Sequence, residues 1–144
     1  MSKAFVLDCS ATLPWIFADE VRKDCDQLLR DLGKGALAWV PALWHLELGN
    51  VLMGAMKRNR IDRAGIEAFL SHLGDLDIRI DSETMKQAWM KTIDLGIQYQ
   101  LTTYDAAYLE LALRESLPLA TLDKDLIRAS RAAGVALCLQ KSRA

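Results

Sequence analysis

Residues 119–134 read Leu-Ala-Thr-Leu-Asp-Lys-Asp-Leu-Ile-Arg-Ala-Ser-Arg-Ala-Ala-Gly. Residues 119–122 form a short apolar run of strand length, Asp123 is a good helix-capping type, and residues 124–133 are a helical segment closed by Gly134. The start of the chain follows the same plan. Residues 4–7 are an apolar run ending at Asp8, and Ser10 can cap a helix that runs to Phe17.

The segments between them alternate in the same way. Val21, Cys25, Leu28, Leu29 and Leu32 recur at helical spacing, and Gly33 with Gly35 ends that helix. Residues 37–40 read as a strand stopped by Pro41. Residues 43–56 read as a mostly buried helix whose only polar side chains are His45, Glu47 and Asn50. Asp62 can cap a helix with Ile66, Phe69, Leu70 and Leu73 on one face before Gly74, and residues 78–80 read as a strand. A helix from about Ser82 should carry Met85, Ala88, Trp89 and Ile93 on one face and end at Gly96, with that face either packed in the core or offered to a partner. Residues 105–115 are helical, and residues 135–139 close the chain as a strand. Strands alternating with helices imply crossover connections, so the expected fold is a single three-layer α/β/α domain over residues 1–144 with a mainly parallel central sheet.

The composition agrees. A chain of 144 residues with 51% hydrophobic and 26% charged content has enough apolar surface for one core without disulfides or a structural metal. Cys9, Cys25 and Cys138 are odd in number and unrelated in spacing, which argues for buried apolar roles in a reducing compartment. A net charge of -1 disfavours general affinity for nucleic acid, so any polyanion site must be local. Asp8 interrupts the amino-terminal apolar run too early for a signal peptide, and no apolar stretch approaches the roughly 20 residues of a membrane span; the expected location is the cytoplasm.

Four acids stand out. Asp8 and Asp123 end strand-like runs, where open parallel sheets bind ligands; Glu47 lies inside an apolar helix, and Asp105 opens another. Taken singly, Asp105 and Asp123 are good caps. Glu47 is different, because an unpaired buried carboxylate costs several kcal/mol, about the scale at which a facing donor or cation becomes necessary. Asn50, one turn on, can hold that carboxylate or a water. Four acids with few bases beside them suggest a hard divalent cation, Mg²⁺ or Mn²⁺. Ser10 and Thr121 either cap or line the same site.

Four segments then carry a resemblance. Val6-Leu7-Asp8-Cys9-Ser10, Leu46-Glu47-Leu48-Gly49-Asn50-Val51-Leu52, Thr103-Tyr104-Asp105-Ala106-Ala107-Tyr108-Leu109-Glu110-Leu111-Ala112 and Leu119-Ala120-Thr121-Leu122-Asp123-Lys124-Asp125-Leu126 together resemble the PIN-domain ribonucleases, and among them the VapC-type toxins of bacterial toxin–antitoxin pairs. The resemblance implies that Asp8, Glu47, Asp105 and Asp123 are the catalytic acids and metal ligands. Ser10, Asn50, Thr121 and Asp125 match its supporting positions. It also implies a cognate antitoxin and, together with the exposed potential of Trp15, Phe17, Trp44, Met53 and Met56, a homodimer.

The expected activity is metal-dependent hydrolysis of single-stranded or structured RNA, and the resemblance implies products with a 5′-phosphate and a 3′-hydroxyl. His45 and His72 are the only histidines, and His45, two residues from Glu47, points to a different side of that helix, so a two-histidine ribonuclease is disfavoured. Lys57, Arg58, Arg60 and Arg63 form a candidate phosphate track, weighed against a solvated helix end. The rival readings are a non-catalytic RNA-binding or scaffold protein of the same fold and a metal-dependent phosphatase, the latter weakened by Ser10 where a second aspartate would stand.

Overall fold

A computed structural model of the chain describes residues 3–139, and its centre is a parallel four-stranded sheet in the order β3-β2-β1-β4. The strands are β1 (Ala4–Leu7), β2 (Leu37–Val40), β3 (Ile78–Ile80) and β4 (Leu119–Ala120). Val6 pairs with Trp39 on one side and Leu119 on the other, so β1 is covered on both edges. Phe5, Val6 and Leu7 are fully buried, which is why this strand needs an unbroken apolar run rather than an alternating one.

Among the described residues eight α-helices flank the sheet to complete the α/β/α arrangement: α1 (Leu13–Ile16), α2 (Lys23–Gly33), α3 (Trp44–Lys57), α4 (Arg63–Gly74), α5 (Thr84–Gln87), α6 (Lys91–Tyr99), α7 (Thr103–Glu115) and α8 (Lys124–Ala133). Local chemistry sets several ends. Asp62 accepts from the Gly65 N–H at the start of α4, Thr102 from the Asp105 N–H at α7, and Asp123 from the Leu126 N–H at α8. Gly134 ends α8 at φ +81, a left-handed position that glycine occupies without a Cβ clash.

The structure corrects several sequence expectations. Ser10 caps no helix; residues Cys9–Thr12 form a 3₁₀ turn ahead of α1. Asp105 is likewise not a cap, because Thr102 holds that place. The single helix expected after β3 is broken into α5 and α6, and Gly96 lies inside α6, which ends at a left-handed Gln100. Its expected apolar face is turned outward rather than into the core: Met85 is 68% and Trp89 88% exposed. The inward face is taken by Thr92, Leu95 and Gly96, where the missing side chain lets α6 approach the Leu101 carbonyl and Ala106. The closing strand reduces to one parallel bridge between Leu119 and Leu137.

One buried ionic hub ties the sheet edge to α7. Arg114 donates Nε and Nη2 to Glu110, at 2.7 and 3.0 Å, and Nη1 and Nη2 to Asp81 at 3.1 and 2.7 Å. Asp81 directly follows β3 and also accepts from Thr84, whose hydroxyl receives the Ala42 N–H at the entry to α3. Burial pushes the Asp81 carboxyl up, but Arg114 and Thr84 more than offset it and hold it below the usual carboxylate range. Removing one member of such a network strands the others in low dielectric. Arg114→Leu should therefore lower stability by about 3 kcal/mol or more in urea denaturation, with Arg114→Lys intermediate because an ammonium cannot bridge two carboxylates with a planar fork.

Candidate functional site

The strand order places a switch point at β1: the chain moves outward through β2 and β3, then returns to the opposite edge of β1 as β4. Ligands bind at the carboxyl ends of strands at such a point. The ladder continues one step past the strands, with the Asp8 N–H donating to the Ala120 carbonyl at 3.0 Å, so Asp8 and Thr121 leave the sheet side by side.

Their side chains are locked together. Ser10 Oγ donates to Asp8 Oδ2 at 2.6 Å, and Thr121 Oγ1 donates to the same oxygen at 2.7 Å. Ser10 Oγ accepts the Leu122 N–H at 2.8 Å, while Thr121 Oγ1 accepts the Asp123 N–H at 3.0 Å. Asp123 in turn uses Oδ2 to cap α8. Ser10 and Thr121 are therefore neither helix caps nor spectators: they orient Asp8 and join the β1 loop to the β4 loop.

The other two acids arrive on helices. Glu47 sits in the first turn of α3 and accepts a hydrogen bond at Oε1 from the hydroxyl of Tyr108. Tyr108 is fully buried on α7, one turn beyond Asp105, and so connects the two acid-bearing helices. Tyr108 is not among the site residues expected from the sequence. The available signal was a hydroxyl three residues after Asp105 within the otherwise apolar middle of α7, where a buried phenol must find a partner. Tyr108 also takes the role expected of Asn50, which is exposed and does not bind Glu47.

The four acids converge closely enough to repel one another. Burial raises the Asp8 carboxyl, the bonds from Ser10 and Thr121 lower it, and Asp123 raises it further, leaving it above its ordinary value. Glu47 is raised first by burial, then by Asp8 and Asp105, against the opposing bond from Tyr108. Asp105, whose carboxylate has no hydrogen-bond donor among the described residues, is pushed up to about 6 by burial and by Asp123, Asp8 and Asp125. No cation contributes to any of these three shifts. The thiol of Cys9 is pushed up to about 12 by burial and the fields of Asp8 and Glu47, so it is inert. Among the described residues, no three acid, histidine or cysteine side chains are yet grouped to hold an ion. The arrangement is a shared negative field rather than a closed cage.

The remaining expected residues lie elsewhere. Asp125 is exposed and pairs with Arg128 at 3.7 Å, reaching the site only through its field on Asp105. Arg60 is bound to Asp19 and Glu20, at 2.7 and 3.0 Å, and stacks over Phe17, while Arg63 pairs with Glu67. These two members of the expected phosphate track are thus engaged within the protein. Lys57 and Arg58 remain exposed at the far end of α3, and His45 and His72 are both exposed. Phe17 and Trp44 belong to the core, and half-buried Trp15 packs on it with its indole N–H on the Cys25 carbonyl, so these three no longer argue for an interface.

The PIN-domain family matches residues 5–132. The crystal structure of PAE2754 from Pyrobaculum aerophilum superposes with a TM-score of 0.65 at 22% identity, covering 90% of this chain and 86% of that one. A toxin-antitoxin complex from Klebsiella pneumoniae superposes with a TM-score of 0.58 at 18% identity, covering 95% and 99%. At these identities the two structures share the fold. No curated protein matches the chain.

The raised carboxyls have a signed consequence for stability. Between about pH 4 and pH 6 the folded protein holds a proton on Asp105 that the unfolded chain has lost, so metal-free stability should rise as pH falls through about 6. Asp105→Asn removes the penalty. It should stabilise the protein in EDTA at pH 7 by about 1 to 2 kcal/mol, allowing for solvent screening at a half-exposed site, and the advantage should vanish toward pH 4 in thermal melts.

Proposed function

The chain belongs to the PIN-domain family, whose members are generally nucleases, and on that premise we propose that it is a metal-dependent endoribonuclease acting as the toxin of a toxin–antitoxin pair. The observation that carries the reading is the convergence of Asp8, Glu47, Asp105 and Asp123 on one strand-end crevice without a compensating cation. A structural scaffold has no reason to keep that repulsion, whereas a hard divalent cation relieves it. The donor set fits Mg²⁺ or Mn²⁺, and Asp8, Glu47, Asp105 and Asp123 are the residues that would hold it.

The bound cation supplies Lewis acidity and a hydroxide-generating water at neutral pH. The protein's own residues do the positioning. Ser10 and Thr121 fix the Asp8 carboxylate from two sides, and Tyr108 fixes Glu47, so neither acid must be reoriented when substrate arrives. The tie of Thr121 to the Asp123 N–H sets the β4 loop against Asp8, which keeps Asp123 at the mouth of the crevice. The reaction that suits this arrangement is in-line hydrolysis of an RNA phosphodiester. Purified protein should cleave single-stranded RNA with Mg²⁺ or Mn²⁺, and Asp8→Asn should lower the rate far beyond the roughly 10 to 100-fold typical of residues that only support ligands. Undiminished cleavage in excess EDTA would refute the reading.

An antitoxin partner is supported by the toxin–antitoxin complex among the structural neighbours. A cytoplasmic location fits that role, and no described helix is long and apolar enough to cross a membrane. A homodimer is supported by the outward stripe of α5 and α6, where Met85, Trp89, Met90 and Ile97 are 59 to 88% exposed. Light scattering at micromolar concentration should show the mass of a dimer for wild type and of a monomer for Trp89→Asp, whose charge opposes burial of the stripe. A monomeric wild type would remove the proposal.

A further inference from the structure

We propose that Lys124 and Arg131 of α8 hold the phosphate backbone of the RNA beside the acid cluster. The inference rests on the ribonuclease reading for the identity of the polyanion. A cavity of about 110 Å³ is lined by Arg22, Thr121, Leu122, Lys124, Ile127 and Arg131. Its wall is shared with the site: the Thr121 hydroxyl holds Asp8, and the Leu122 N–H holds Ser10.

Helical spacing explains the lining, since positions 124, 127 and 131 follow one another at i, i+3 and i+7 and fall on one face of α8. The side chains of Lys124 and Arg131 are exposed and make no ion pair or hydrogen bond within the described residues. Arg128 on the same helix differs, because it donates to the Tyr99 carbonyl and faces Asp125. Arg22 adds charge to the wall while bound to Asp24.

Distance decides between this track and the end of α3. Lys57 lies ten residues beyond Glu47, about 15 Å along the helix, whereas Lys124 immediately follows Asp123. With a screening length of about 8 to 10 Å in physiological salt, Lys124 is close enough to offset the repulsion that the acids present to an approaching phosphate and Lys57 is not, while Arg131, two turns further along the same face of α8, extends the contact to the next part of the backbone. Leu122 and Ile127 give the cavity an apolar floor, which strengthens ion–phosphate attraction by limiting water beneath it.

The test is the salt dependence of binding to a short fluorescent single-stranded RNA in millimolar Mg²⁺, with Asp8→Asn as a common background to prevent cleavage. Adding K124A/R131A should weaken binding by about tenfold or more and make the log–log salt slope shallower by about 0.7 for each cation lost. In the wild-type background the same pair should raise KM for RNA more than it lowers kcat. An unchanged slope and KM, or a slope that responds to K57A/R63A instead, would overturn the assignment. Cleavage by wild type that is indifferent to the α8 pair defeats this inference while the ribonuclease reading stands. Binding that depends on the pair, without cleavage by wild type, does the reverse. Failure of wild type to bind or cut RNA defeats both.

Discussion

A carboxylate at the end of a buried parallel strand is the constraint around which this protein is organised. Asp8 follows three fully buried apolar residues and is itself only 6% exposed. Desolvation raises its carboxyl, and only hydrogen-bond donors oppose that shift. Ser10 and Thr121 supply them, and because they come from loops on adjacent strands, satisfying Asp8 also aligns β1 with β4. The same bonds tie the two loops together and fix the orientation of the Asp8 carboxylate.

The helices serve the same constraint from above the sheet. α7 bears Asp105 near its start and Tyr108 one turn later, and Arg114 near its end is fastened to Asp81 beside β3. Helix position is therefore set at both ends, by a hydrogen bond to Glu47 of α3 and by an ionic hub at the sheet edge. Glu110 contributes the second carboxylate of that hub while being 2% exposed, a burial tolerated because both of its oxygens receive Arg114 donors. Glu110 and Asp81 each meet a cation within the protein, whereas Asp8, Glu47, Asp105 and Asp123 have no ion pair among the described residues.

Charge is distributed accordingly. The net charge of -1 conceals a group of mutually repelling acids at the strand ends and a separate basic group at the end of α3 already partly neutralised by Asp19, Glu20 and Glu67. Apolar side chains are distributed as unevenly. The core closes around β1 and α7, while the row from Met85 to Ile97 is left outside because α6 presents Thr92, Leu95 and Gly96 to α7. A helix with small residues on one side and large ones on the other packs its small side where another helix approaches closely, and the large side is left for solvent or for another surface.

The amino-acid sequence by itself determined the alternation of strands and helices and the boundaries of β1, β2, β3 and α8, because burial on both faces demands continuous apolar runs, and it singled out the four acids because a lone acid beside such a run is costly. Those signals are local and survive in a string of letters. Tertiary structure decided which partner each acid received and which face of each helix turned inward. Glu47 accepts from Tyr108, 61 residues away, rather than from Asn50 one turn along, and Asp8 accepts from Thr121, 113 residues away. Periodicity likewise marked Met85, Trp89 and Ile93 as a coherent stripe but could not say whether it faced the core. That choice depends on the space left by neighbouring elements: α7 fills the inward side of α6 through a contact that requires Gly96, and no rule of spacing within one helix contains that information.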